Sequence, residues 1–175
     1  SVSSSYEPLV MIGGGGHAKV LLNLIRSLEL EILGVCDPAL VAMKESLWLD
    51  LKVLGGDDFI ENCAPDSVGL VLGVGQTVHS FSRARIFADW RSRGYFFPTL
   101  VHPSALIADY VDLEHGVQVM SGCVLQTCTT LGANSIVNTG STIDHDCIIG
   151  SNVHIAPGVT LCGSVVVEDG AFIGA

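Results

Sequence analysis

The chain has 175 residues, enough for one or two domains with a real core. Nearly half of it (49%) is apolar and only 15% is charged, which excludes a disordered chain. A formal net charge of −10 argues against nucleic acid and anionic membrane as partners, since both require a basic face.

No apolar run reaches the roughly 18 residues of a membrane span. No charged-then-apolar signal segment precedes the first strand, and residues 1–8 read as a loose leader. The six cysteines include no C-x-x-C spacing, so they do not suggest a zinc knuckle, and a reduced, cytoplasmic setting is expected. Residues 8–12 form a short apolar run that predicts a strand, followed by Gly13-Gly14-Gly15-Gly16. Val20, Leu21, Leu24, Ile25 and Leu28 then recur at helical spacing. Residues 31–36 predict a second strand ending at Asp37-Pro38. Residues 39–53 show no clear period, except for a short strand expected over 51–54. Asp57-Asp58 can start a short helix. Residues 67–74 predict a strand. Residues 79–93 predict a helix that buries Phe81, Ala84, Ile86, Phe87 and Trp90, and residues 95–97 a last strand ended by Pro98. The alternation implies a small parallel α/β domain of Rossmann-like type over 1–98.

From Ile107 the pattern changes. Ile107, Leu113, Val119, Leu125, Leu131, Val137, Ile143, Ile149, Ile155, Leu161, Val167 and Ile173 are branched aliphatics in an unbroken period of six. Four residues after each comes a small or β-branched residue, as at Cys123, Thr129, Ser135, Ser141 and Cys147. Neither a strand nor a helix has that period; a hexapeptide repeat does. Three sixes close one triangular coil of about 18 residues, and coils stack because none can bury its apolar side alone. The prism occupies 99–175. It stops in mid-repeat at Gly174-Ala175, so a C-terminal truncation, or a cap supplied by something else, is expected.

Two places suggest chemistry. Gly13-x-Gly15-x-x-Ala18 lies between a strand and a helix, and Asp37 ends the next strand. That is the outline of a dinucleotide loop, in which backbone N–H groups approach a phosphate and the acid binds a ribose hydroxyl. The domain suffices for a mononucleotide half, and a purely structural turn is the alternative. Asp144-His145-Asp146 lies inside the repeat, with His145 on an outward turn where Asp146 can orient its ring. For an arbitrary prism, a solvated turn histidine would be the plainer reading. His102, His115, His145 and His154 include no close pair, and no metal is expected.

Gly13-Gly14-Gly15-Gly16-His17-Ala18, Val101-His102-Pro103-Ser104-Ala105, Asn138-Thr139, Ile143-Asp144-His145-Asp146-Cys147 and His154-Ile155-Ala156-Pro157-Gly158 together resemble the PglD/NeuD group of sugar acyltransferases. The resemblance implies α/β + β: a nucleotide-sugar-binding domain followed by a left-handed parallel β-helix. It also implies a homotrimer that binds acetyl-CoA between subunits and acetylates a UDP- or GDP-linked 4-amino-deoxy sugar for surface glycans. By position, His145 matches the family's general base and Asp146 its acidic partner. Gly13, Gly14, Gly15, Gly16, His17 and Asp37 match the nucleotide-sugar pocket, and Asn138 a residue close to the sugar. His154 matches a histidine near the acetyl group, and Gly163 falls where backbone lines the acetyl-CoA path. A sialic acid O-acetyltransferase and a non-catalytic nucleotide-binding scaffold remain as alternatives.

Overall fold

The computed structural model describes residues 7–175, so the leader expected over 1–8 falls, but for Glu7 and Pro8, outside the described residues. The chain forms two compact units. One comprises the residues up to Gly75 together with Ala88–Phe97; the other comprises Gln76–Phe87 together with Pro98–Ala175.

The first unit is built on a sheet in which β1 (Leu9–Ile12) lies between β2 (Ile32–Cys36) and β5 (Gly69–Leu72), parallel to both. All four residues of β1 and of β5 are buried, as befits strands covered on both faces. Helix α1 (Gly16–Ser27) buries Ala18, Leu21, Leu22, Leu24 and Ile25. Val20, expected on that stripe, is 41% exposed, and Leu22 is buried in its place.

The stretch without a clear period holds a short helix, α2 (Pro38–Ala42), and a strand, β3 (Leu47–Trp48), antiparallel to β4 (Leu51–Gly55). Asp37 caps α2 by accepting from the Ala39 N–H (2.8 Å), and Pro38 occupies the first turn. A second short helix, α3 (Asp57–Glu61), begins on the expected acidic pair.

The last predicted strand, 95–97, is reduced to a single parallel bridge between Gly69 and Phe96. Gly94, at φ 90°, turns the chain just before it, and Pro98 follows, so no ladder can extend. Tyr95 and Phe97 are buried as packing residues instead. The Tyr95 hydroxyl lies 2.8 and 2.9 Å from the Ile60 and Cys63 carbonyls.

Helix α4 (Ser82–Ser92) begins later than the pattern predicts, and its expected buried side needs correction. Phe81 precedes the helix and is 64% exposed, whereas Arg83 is 1% exposed. Burial pulls the Arg83 guanidinium down to about 9. Its Nε–H donates to the Asn134 carbonyl at 3.4 Å.

The second unit is the prism, a parallel β-helix of two-residue strands in three sheets. One sheet stacks Leu100–Val101, Gln118–Val119, Ile136–Val137, His154–Ile155 and Phe172–Ile173. Partners lie one coil apart, as Val124 beside Thr142 and Leu125 beside Ile143. The repeated aliphatics point inward, with Val119, Leu125, Val137, Ile143 and Ile155 all at 0% exposure.

The small position does more than save space. Thr129, Ser135 and Ser141 are wholly buried, and their hydroxyls donate to the carbonyls of Asp144 (3.0 Å), Gly150 (2.7 Å) and Ala156 (2.7 Å), each fifteen residues ahead. The thiols of Cys123 and Cys147 do the same toward Asn138 (3.0 Å) and Cys162 (3.2 Å). Buried polar groups are thereby satisfied by the next coil.

Every sixth residue turns a corner in the left-handed region. Tyr110, Cys128, Asn134, Asp146, Asn152 and Ser164 have φ between 56° and 63°, alternating with glycines such as Gly116, Gly140 and Gly158. A non-glycine residue there costs about 1 kcal/mol or more, least for Asn and Asp.

One face of the prism is covered by residues 76–87. On it the outward residues Leu100, Gln118, Ile136 and His154 are all buried. On the other two faces, Leu106, Ile148 and Val166 are 54%, 56% and 64% exposed. No helix among the described residues is long and apolar enough to cross a membrane.

Candidate active site

His145 stands at a prism corner, between Thr142–Ile143 and Ile148–Ile149. It lies two residues after the inward Ile143, so its side chain leaves the prism and is 56% exposed. Asp146 follows at φ 58°, and that conformation brings its carboxylate back to the ring. Oδ2 lies 2.8 Å from Nδ1. A carboxylate only accepts, so Nδ1 carries the proton. The neutral ring therefore keeps its lone pair on Nε2, which makes no hydrogen bond among the described residues. Asp144 holds the backbone from the other side, its Oδ1 accepting the His145 N–H at 2.8 Å. The hydrogen bond from Nδ1–H to the Asp146 carboxylate raises the His145 pKa above its ordinary value, aided by the charges of Asp144 and Asp146. Gly163 lies one coil further along the same corner, and the nearest atoms to the place of its missing side chain are those of the His145 ring.

His154 is in a different setting. It lies on the covered sheet, opposite the corner that carries His145, and is 8% exposed. Its Nδ1 donates to the Gln76 carbonyl at 3.2 Å. Nε2 is therefore the acceptor for the Asn138 side-chain amide, also at 3.2 Å. Phe172 packs its ring edge-on at 5.2 Å. Burial pushes this histidine's pKa down, with the Arg83 charge helping, against the pull of the Gln76 bond. The structure thus joins Asn138 to His154, which the resemblance assigns separately to the sugar and the acetyl group.

The glycine loop lies in the other unit, and its four glycines divide into two kinds. Gly13 has φ 88° and faces Val74, so it is required by the turn. Gly14 is wedged against Leu40 and Trp48. Gly15 and Gly16 have nothing within 4 Å of where a side chain would stand. Gly15 caps α1 without a side-chain hydrogen bond, and the first turn holds no acidic residue. This helix start can receive an anion. Asp37 accepts the Gly14 N–H with Oδ2 at 2.8 Å while Oδ1 caps α2. Its carboxylate fastens the loop, whatever else it binds. His17 lies in the first turn of α1, its Cβ 3.3 Å from where a side chain at Gly75 would start.

Sequence reasoning missed Gln76 and Arg83. Gln76 had no signal. Arg83 had one, because it falls on a helical stripe with Phe87 and Trp90. Among the described residues no group of three His, Cys, Asp or Glu could hold a metal ion.

Two family models match the chain. The PglD N-terminal domain covers residues 8–88, and the bacterial transferase hexapeptide (six repeats) covers residues 128–163. Among solved structures, a mutant perosamine N-acetyltransferase from Caulobacter crescentus, in complex with CoA and GDP-perosamine, is 29% identical with a TM-score of 0.83; the likeness covers 94% of this chain and 76% of that one. The acetyltransferase domain of PglB from Neisseria gonorrhoeae is 28% identical with a TM-score of 0.80, over 96% of this chain and 91% of that one. The GDP-perosamine N-acetyltransferase of Escherichia coli O157:H7 is 36% identical over 76 residues, 43% of this chain and 34% of that relative. The matched stretch thus spans about a third of that curated relative's length. These neighbours also give the prism its hand: it is a left-handed β-helix.

Proposed function

We propose, from its likeness to the PglD/NeuD-type sugar acyltransferases, that the chain transfers an acetyl group from acetyl-CoA to the amino group of a nucleotide-linked amino sugar. The observation that carries this reading is the corner histidine, with Nδ1 held by Asp146 and Nε2 left as an open lone pair.

The amine nitrogen attacks the thioester carbon, the C–N bond forms, and the CoA thiolate leaves. The amine proton passes to Nε2 of His145, and Asp146 stabilises the imidazolium. A positioned base of this kind contributes about 10²–10⁴-fold, and in-line placement of the two substrates supplies several kcal/mol more. The open space beside Gly15 and Gly16 supports nucleotide phosphate binding at the start of α1. Acetyl-CoA would run along the corner that carries His145 and Gly163.

His145 and His154 lie on opposite sides of one prism. If both serve one acetyl group, they come from different copies of the chain, which favours a closed trimer with three equal clefts. Sedimentation that gave only monomer would count against that arrangement.

The direct test is an acceptor panel of UDP- and GDP-linked amino sugars and sialic acids, read by thiol release from acetyl-CoA and mass of the product. Acetylation of a nucleotide-linked amine is expected. Exclusive transfer to a hydroxyl would replace the reading, and no transfer to any acceptor would overturn it. A second arm uses Gly15→Ala, which meets no neighbour in the fold. It should raise KM for the nucleotide sugar about tenfold and leave acetyl-CoA binding alone.

A further inference from the structure

Several prism glycines cannot take a side chain, and most are blocked by the stacked backbone. A Cβ at Gly132 would meet the Ser151 nitrogen at 2.5 Å and the Gly150 carbonyl carbon at 2.6 Å, and one at Gly150 would overlap Asp169. Gly163 differs. The three atoms nearest to its missing Cβ all belong to the His145 ring: Nε2, Cε1 at 2.5 Å and Cδ2 at 3.0 Å. Its φ is not among the positive ones, so its backbone would accept alanine. The chain therefore has no backbone reason for glycine at this position; the reason is the ring.

We propose that Gly163 is a positioning residue: the imidazole of His145 lies against its bare Cα, and this seat lets Nδ1 hold Asp146 while Nε2 faces the reacting groups. The proposal rests on His145 acting as the base. It assigns Gly163 a role separate from lining the acetyl-CoA path. A Cβ there needs the space occupied by Nε2 and Cε1, so the ring must swing outward about its Cα–Cβ bond. That swing carries Nδ1 away from Oδ2, now 2.8 Å distant. Misplacement of a reacting group by about an ångström costs about a hundredfold in rate.

The test is Gly163→Ala in the full chain. A kcat about a hundredfold lower is expected, with KM for acetyl-CoA changed less than about twofold. NMR titration of the His145 ring, without substrates, should show its pKa fall toward the ordinary histidine value as the Asp146 bond is lost. A raised KM for acetyl-CoA with an unchanged titration would mean that Gly163 serves only the CoA path, and would overturn the proposal. Wild-type kcat together with wild-type titration would also overturn it. If the wild-type protein transferred no acetyl group, the functional reading would fail, while the titration would still report on the seat. A stability cycle covers a poorly folding variant. Gly163→Ala should lower Tm beside His145 and leave it unchanged in a His145→Ala background, and equal losses in both backgrounds would refute the seat.

Discussion

His145 and His154 belong to the same repeat, and the prism treats them in opposite ways. His145 follows its inward aliphatic by two residues and leaves the prism at a corner, where an aspartate raises its pKa. His154 precedes its inward aliphatic by one and lies on a covered face, where burial lowers its pKa. The two share a residue type but not their neighbours, since His145 stands between Asp144 and Asp146 and His154 between Val153 and Ile155. The place within the six decides whether an imidazole meets water and a carboxylate or a carbonyl and an aromatic edge. One stands open to solvent beside a carboxylate, and the other is held between a backbone carbonyl and an aromatic edge.

The comparison breaks most visibly at His145→Ala. Acetyl transfer should fall about 10²–10⁴-fold, measured as thiol release at saturating substrates. Stability should stay within about 0.5 kcal/mol, because an exposed corner side chain is lost. His154→Ala should show the reverse pattern in a urea titration. It orphans the Gln76 carbonyl and the Asn138 amide and should cost about 2 kcal/mol. The pH dependences should also be opposite. The folded pKa of His154 is depressed, so its contribution is present above the ordinary value of 6.5 and is lost as pH falls through the lowered one. That of His145 is raised, so its small contribution is present below 6.5 and is lost as pH rises through the raised one.

Asp146→Asn sharpens the comparison at the corner. Without the carboxylate, the His145 pKa should drop, moving the acid limb of kcat/KM to lower pH. On the plateau, kcat should fall about tenfold, as the imidazolium loses its partner. An unmoved limb would show that another group titrates. The smallest effect is expected from Ser135→Ala, which touches neither histidine. Its hydroxyl donates to the Gly150 carbonyl and accepts the Val153 N–H, so about 1 kcal/mol of stability should go, with kcat unchanged.

The prism was legible in the sequence because one rule, an aliphatic every sixth residue, sets both register and direction. His145 could be placed on an outward turn from Ile143 alone. The covering segment was not legible, because its burial depends on a surface distant in sequence. Phe81 reads as core and is exposed, while Arg83, not among the residues expected to be buried, lies buried against the Asn134 carbonyl. The same blindness explains His154, whose surroundings are completed by Gln76. In the α/β unit the glycine run was visible, but its division into two structural and two open positions was not. It follows from Val74, Leu40 and Trp48, which local sequence does not bring near.

The corners have a consequence for how such a chain can change length. Each is a single left-handed residue between strands whose partners lie in the coils above and below. An added loop at a corner, bulging into solvent and returning to the same residue, leaves every ladder intact. One residue added or removed without such a return would shift each later aliphatic by a place and direct it toward water. Growth of this fold is therefore quantised, and exposed corners such as Tyr110 and Cys128 are the places where insertions can enter.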